Sequence, residues 1–589
     1  MTWLSNGCGF CLSNNIRCDE LGEDSPCLTF RGWQLQCPPM EHGSCPDAME
    51  LECHPLCEPW PENAQLAVAK NSHPMVHWMK PLDNLIATAH ELLDPPLPRA
   101  ICSSILPPYI KDLPYLPFED VQYLAAKNVF QFPDVILRNE LLKTFVHNVY
   151  PYIPLLDLRP FLGAIACNNG SKSVSLLLFH AVMFSSTAFI EPEHLHRAGY
   201  TSRKAARQEF YQKARVLYDF DVETDRVVVI QAVLLMTYWH ETPDDPKNFR
   251  YWMEIALSLA ASTIKDLEDP DVTPPARCMW KRLWWCLYTR DRLVSLNLRQ
   301  PAIIHDDDFH IPYLTIDDFG IHAFDKATMH ALGDWEILRS TTHQIQLAQL
   351  FIAKAKLCTI LSGLLVRNAP STGPSDQLIS TIQYTQNLEE WEAALPVELR
   401  YQSPSSQNLS KVEKTLFAYR AWLKLLFLNA SSAIPRHQSA LRSATPSSES
   451  ETEAETLLSE QRVQSTMRAI SLVAEGLYRA DAIHYLPTTT VGLLLPVLAI
   501  HILNIRSGSP DQWAIGFKSF YQCMRVLEQL GEVYMLAESM AAYFEKAIGS
   551  CSDTKDAKSV STPRLLEEVL TSAELKCFVH FVRRGETGI

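Results

Sequence analysis

Glycine is scarce, with 20 residues in a chain of 589. None falls into a phosphate-cradling G-x-x-x-x-G-K loop, a dinucleotide glycine fingerprint or a G-x-S-x-G elbow, and H-E-x-x-H is missing as well. These absences remove the common phosphoryl-transfer, dinucleotide, serine-hydrolase and zinc-protease sites, so the chain is read as not an enzyme. Positive charge is also short: 52 Lys and Arg stand against 67 Asp and Glu, a net of −15. Bulk electrostatics will not hold such a chain on nucleic acid, and any DNA-binding part must be a local feature. Long apolar runs are missing too. Val227–Trp239 is interrupted by Gln231 and Thr237, and Val491–Ile505 by Pro496, His501 and Asn504. Both fall short of the ~20 apolar residues of a membrane-spanning helix. They predict buried core helices and no membrane partner. The start, MTWLSNGCGF, has neither a charged opening nor an apolar run. It predicts an intracellular chain with reduced thiols.

The composition that remains is 47% hydrophobic and 20% charged, which is that of a globular protein. The length exceeds what one core serves. Apolar residues recur at helical spacing and alternating strands do not appear, so the fold class is all-α: a large helical domain behind a small cysteine-rich segment. Five regions are expected. Residues 1–65 are rich in Cys, Pro and acid; 66–130 form a proline-rich linker; 131–436 form the helical domain; 437–461 form a disordered Ser/Glu-rich insertion; 462–589 form a C-terminal helical region. A last amphipathic helix is expected around Leu565–Val582.

In the helical domain Pro133 and Asp134 suit a first turn, followed by the stripe Val135, Leu141, Leu142, Phe145, Val146 and Val149. Further helices are predicted at Ser173–Ile190, Arg203–Tyr218, Asp225–His240, Phe249–Lys265 and Ala276–Leu298. In the last, Trp280, Leu283, Trp284, Leu287 and Tyr288 make one apolar face, with Arg290, Asp291 and Arg292 beside it. Two readings stand: an effector pocket or signalling surface, or charges paired inside a helical bundle, as buried charges normally are. His180, His240 and His310 are read as core or cap residues. The run Asp306-Asp307-Asp308 belongs to a loop rather than a metal site.

The cysteines are unevenly placed. Eight of the 16 lie in the first 57 residues: Cys8, Cys11, Cys18, Cys27, Cys37, Cys45, Cys53 and Cys57. The first five follow C-x2-C-x6-C-x8-C-x9-C. A metal site and disulfide pairing are both open to such a cluster, and a reducing compartment favours metal.

Several long motifs resemble, in order, the middle homology region of fungal zinc-cluster transcription factors, most closely the cutinase-type regulators. They read GYTSRKAARQEFYQKARVLYDFDVETDR from Gly199, QAVLLMTYWHETPDD from Gln231, and KRLWWCLYTRDRLVSLNLRQPAIIHDDDFHIPYLTIDDF from Lys281. VYPYIPLLD from Val149 resembles the element that opens the same region. The resemblance covers Pro133–Phe319 closely and the remainder as a generic helical tail. One departure is the stretch TIKDLEDP after Ser262, where the family usually has a Gly-Leu-His-Arg-like turn. The resemblance implies a nuclear transcription regulator of metabolic genes, often those of one cluster. Its implied partners are DNA and the transcription machinery or related regulators, with homo- or heterodimers compatible.

Regulators of that family begin with six thiolates holding two zinc ions. Cys8, Cys11, Cys18, Cys27 and Cys37 match five of the six positions, and Phe30 stands at the fifth. The resemblance therefore implies zinc, one or two ions in an incomplete site, since zinc takes four ligands and two thiolates must bridge. The segment implied to enter the major groove is Leu12-Ser13-Asn14-Asn15-Ile16-Arg17, in which Asn14, Asn15 and Arg17 are the candidate DNA contacts. Residues 1–62 carry two basic and ten acidic residues, a net of −8. Phosphate contacts supply much of DNA affinity, so weak DNA binding is expected. The alternatives are a partner or inhibitor of a related intact regulator that does not itself bind DNA, and, more weakly, a helical ligand-binding protein or enzyme.

Overall fold

Capping side chains set where the helices begin. Asp134 accepts the Leu137 N–H at 2.7 Å, Ser202 that of Ala205 at 3.1 Å, and Asp225 that of Val227 at 2.9 Å. Each satisfies a donor that a helix start leaves without a partner. The computed structural model describes residues 106–239, 247–264, 272–298, 300–306, 310–366, 374–404, 408–444, 451–506 and 510–552. All of these belong to one compact unit, Pro95–Ile589.

Among the described residues the α-helices are α1 (Phe118–Ala126), α2 (Val135–Thr144), α3 (Leu158–Cys167), α4 (Leu176–Thr187), α5 (Pro192–Arg197) and α6 (Arg203–Asp219). Then come α7 (Arg226–Met236), α8 (Phe249–Ile264), α9 (Pro274–Leu298), α10 (Lys326–Leu332), α11 (Glu336–Arg339) and α12 (Thr341–Val366). The last six are α13 (Pro374–Ala394), α14 (Lys411–Ala444), α15 (Glu451–Arg479), α16 (Thr489–Arg506), α17 (Pro510–Gly531) and α18 (Met535–Ser552). No strand occurs among them, only an isolated bridge between Ile110 and Val174. The fold is all-α.

The centre of the first half is α4, whose sequence LLLFHAVMFSST is apolar around its whole circumference. Every one of its residues is buried, as such a helix requires. It packs against α2, α6 and α7. Its hydroxyls bond back along the helix, Ser186 to the Val182 carbonyl at 2.7 Å and Thr187 to that of Met183 at 2.6 Å, so neither hydroxyl is stranded. His180 is a core histidine that points its Nε2 at the Val129 carbonyl, 2.8 Å away, while its Nδ1 is buried without a partner. The second centre is α9, which packs against α8, α12 and α16. Trp280, Trp284 and Leu287 are buried along it, as their spacing predicts. α12 contains an apolar stretch, Thr341–Gly363, long enough to cross a membrane, but it is a core helix here: Leu350, Phe351, Leu357 and Leu361 are buried, and it lies against α9 and α14. α16 likewise buries Val491, Leu494, Val497 and Leu498.

Three expectations need correction. Val135, placed in the buried stripe, is exposed at the first position of α2, while Leu141, Leu142, Phe145, Val146 and Val149 are buried. The linker does not extend to residue 130. Tyr109 and Ile110 are buried, Tyr109 meets Phe179 at a ring distance of 5.8 Å, and Arg138 sits over the Tyr109 ring. This adjacent pair belongs to no repeating apolar spacing, and its partners are distant in sequence. Finally, α14 runs to Ala444 and α15 starts at Glu451, so both helices reach into the stretch 437–461 expected as a disordered insertion. Its Ala, Leu, Glu and Gln are good helix formers, and continuation of a packed helix avoids the cost of nucleation. Residues 445–450, and the helix expected around Leu565–Val582, lie outside the described residues.

Candidate functional site

Cys8, Cys11, Cys18, Cys27 and Cys37, the Phe30 position, and Asn14, Asn15 and Arg17 all lie outside the described residues. Among the described residues no group of three or more His, Cys, Asp or Glu could hold a metal. Cys286, Cys358 and Cys523 are buried, and burial pushes each thiol up to about 12. They pack as small apolar side chains. What the described part does hold is a network of charges on α9 and an open cleft at that helix's N-terminal end.

The three consecutive charges of α9 each engage a different element. Arg290 donates from Nε to Thr237 Oγ1 at 3.1 Å and from Nη2 to the Thr237 carbonyl at 3.0 Å, and its guanidinium lies 3.8 Å from the Tyr238 ring centre. Asp291 is wholly buried. It accepts the backbone N–H groups of Ile303 and Ile304, both at 3.0 Å, and Arg292 Nη1 at 2.8 Å. Burial pushes its carboxyl above the ordinary value, and the three donors oppose that shift. Arg292 also donates from Nη2 to Asp306 at 2.7 Å and from Nε to Ser362 at 2.7 Å. Tyr288 closes the ring, with its hydroxyl 2.7 Å from Asp306 and 2.9 Å from Ser362. For Asp306, partial burial acts to raise the carboxyl, but the Tyr288 and Arg292 hydrogen bonds outweigh it and hold the group below its usual range. The bundle reading of the triplet is therefore the right one, and Asp306 is engaged as a partner of Arg292. Asp307 and Asp308 lie outside the described residues. The network fixes the chain after α9 to α9 itself and to α12.

The cleft, of about 470 Å³, was not legible in the sequence. Its walls include Tyr150, Pro154, Phe319, Ile337, Leu347 and Phe351. Two ion pairs brace it: Arg282 with Asp157, and Lys281 with Asp318 at 2.7 Å. Asp318 also accepts the Thr315 N–H at 2.7 Å, which closes the 3-10 turn Ile316–Phe319. Burial pushes the Tyr150 phenol up to about 12 despite the nearby Arg282 cation. An apolar floor with a few polar groups at its rim suits a small, mostly apolar molecule carrying one or two polar groups. The only advance signal was the group of prolines at the helix ends, Pro151, Pro154, Pro160 and Pro274, which now stand in or beside the walls.

Residues 142–424 match the fungal specific transcription factor domain. The match runs from α2 into α14 and contains the whole cleft and the α9 charge network. The chain is 35% identical over 472 residues to cutinase transcription factor 1 beta of Fusarium vanettenii, which covers 75% of this chain and 53% of that protein. It is 31% identical over 471 residues to transcription factor cpaR of Aspergillus oryzae, covering 76% of this chain and 77% of that one. Fusaric acid cluster transcription factor FUB12 of Gibberella moniliformis is 22% identical over 471 residues, covering 77% and 65%. The chain spans about half the length of the cutinase regulator and of a transcription factor from Fusarium pseudograminearum.

Proposed function

This chain belongs to the family of proteins built on the fungal-specific transcription factor domain, and we propose that it is a nuclear transcription regulator controlling metabolic or secondary-metabolite cluster genes. The observation that carries this reading is the match over 142–424, together with relatives that align along most of the chain. The helical domain is the regulatory part. Its cleft offers a site for a small apolar effector, and α9 connects that cleft to the buried charge network.

DNA contact is assigned to the N-terminal segment, through an atypical zinc site of Cys8, Cys11, Cys18, Cys27 and Cys37. Phe30 leaves one ion a thiolate short, and the segment's net charge of −8 opposes phosphate contact. That same charge favours a second reading, in which the protein works as a partner or inhibitor of a related intact regulator. Genome-wide occupancy of the full-length protein, alongside transcript levels in a strain lacking it, separates the two. Occupancy that survives deletion of related regulators supports direct binding; occupancy that vanishes with them supports the partner reading. No change in any transcript would end both. At the site itself, the protein should bind fewer than two zinc ions through the N-terminal segment, and Phe30→Cys should raise the count towards two. Two ions in the unsubstituted protein would mean that another ligand replaces the thiolate.

A further inference from the structure

Behind α9 lies a small recess with room for about 20 Å³, lined by the chain after α2, by Tyr238 after α7, and by α9, α12, α14 and the start of α16. Two cations line it. Lys354 is 2% exposed and Arg290 5% exposed. Lys354 donates to the Tyr152 carbonyl at 2.6 Å and lies 4.1 Å from the Phe351 ring centre. Arg290 commits Nε and Nη2 to Thr237, which leaves Nη1 without a protein acceptor. Neither has a carboxylate partner among the described residues. Asp291, next to Arg290 in sequence, is fully engaged elsewhere.

Three further polar atoms of cavity-lining residues are buried with no partner: Tyr152 Oη, Trp422 Nε1 and Thr489 Oγ1. All three can donate, and the indole nitrogen can only donate. Thr489 is also the first residue of the 18-residue helix α16, whose N-terminal end carries partial positive charge. The described residues supply no counter-charge to either cation. Burial pushes the Cys286 thiol up to about 12 and the Tyr152 phenol well above its ordinary value, so neither lining group ionises near neutral pH. Two buried cations and three unanswered donors on residues lining one recess call for an acceptor, and the positive charge favours one that is negative.

We propose that this cavity binds one small anion of halide size, chloride under ordinary conditions, held by Lys354, Arg290 and the Trp422 indole. A void of about 20 Å³ admits a single occupant little larger than water. Water would offer two lone pairs but no charge to set against two cations. The ion links α9, α12 and α14, three helices from different stretches of the chain.

The test compares melting of the full-length protein in sodium bromide and in sodium gluconate at equal ionic strength, gluconate being too large to enter. Bromide should raise Tm by about 2–4 °C, and Lys354→Met, which keeps the side-chain volume and removes the charge, should abolish the difference. Equal Tm values in the two salts for the unsubstituted protein would overturn the proposal, as would a bromide effect that persists in Lys354→Met. If that variant does not fold, crystals of the unsubstituted protein soaked in bromide decide the matter. An anomalous peak within contact distance of Lys354 Nζ supports the site; no peak there means a wet cavity with a neutral amine, and the proposal fails.

Discussion

Replacing Asp291 by Ala removes the one wholly buried carboxylate of the α9 network and takes an acceptor from four donors at once, the Ser295 hydroxyl among them. Arg292, 2% exposed, loses the partner that shares its burial, and the Ile303 and Ile304 N–H groups lose their acceptor. Breaking a buried ion pair on one side costs about 3–5 kcal/mol, because the surviving charge stays buried. Arg292 keeps Asp306 and Ser362, which places the expected loss at the lower end, about 3 kcal/mol. A fall in Tm of roughly 6 °C should follow, given that a kcal/mol shifts Tm by about 2 °C in larger domains. Asp306→Ala is the internal control. Its side chain is 46% exposed, so solvent screens what it contributes, and the loss should be about 1 kcal/mol or less. The assay is a matched thermal and urea melt of the full-length protein and the two variants, with near-ultraviolet circular dichroism to follow Trp285 and Tyr288 on the same helix. Equal losses for the two variants, or a loss below about 1 kcal/mol for Asp291→Ala, would refute the view that the buried carboxylate organises this region.

Three histidines should make stability depend on pH. Burial lowers His147 and His180 to about 3 and His501 to about 4, all below the ordinary 6.5. Their unfolded forms take up protons first, so stability is full above pH ~6.5 and is lost as pH falls from there towards those values. Urea midpoints at pH 7 and pH 5 check this, and His180→Gln, which can still donate to the Val129 carbonyl, should flatten part of the slope. Asp134→Ala removes the cap of α2 and should lower stability by about 1 kcal/mol, whereas Asp134→Asn should be nearly neutral. Filling the cleft with Ala348→Trp should leave Tm within about 2 °C if the space is open to solvent, and a larger drop would mean that Ala348 faces packed core instead.

The sequence by itself determined where most helices of 131–319 begin and end. Helix starts depend on side chains within three residues of the cap, as at Asp134, Ser202 and Asp225, and the buried face is written at a spacing of three and four. It also determined that α7 and α16 are internal, because runs so nearly apolar have no face to offer water. It could say that Arg290, Asp291 and Arg292 would be paired, since buried charge is seldom left alone. It could not say with what. Thr237, Ile303, Asp306 and Ser362 reach α9 from other elements, and only packing brings them within hydrogen-bond distance. The same holds for Tyr109 docking on Phe179, which turns the end of an apparent linker into core, and for the cleft, whose walls come from separate turns and helices. Lys354 and Arg290 lie on different helices and share one cavity. Their charges are visible in any reading of the chain, but the missing counter-charge is a property of the space between them, which exists only once the helices have packed.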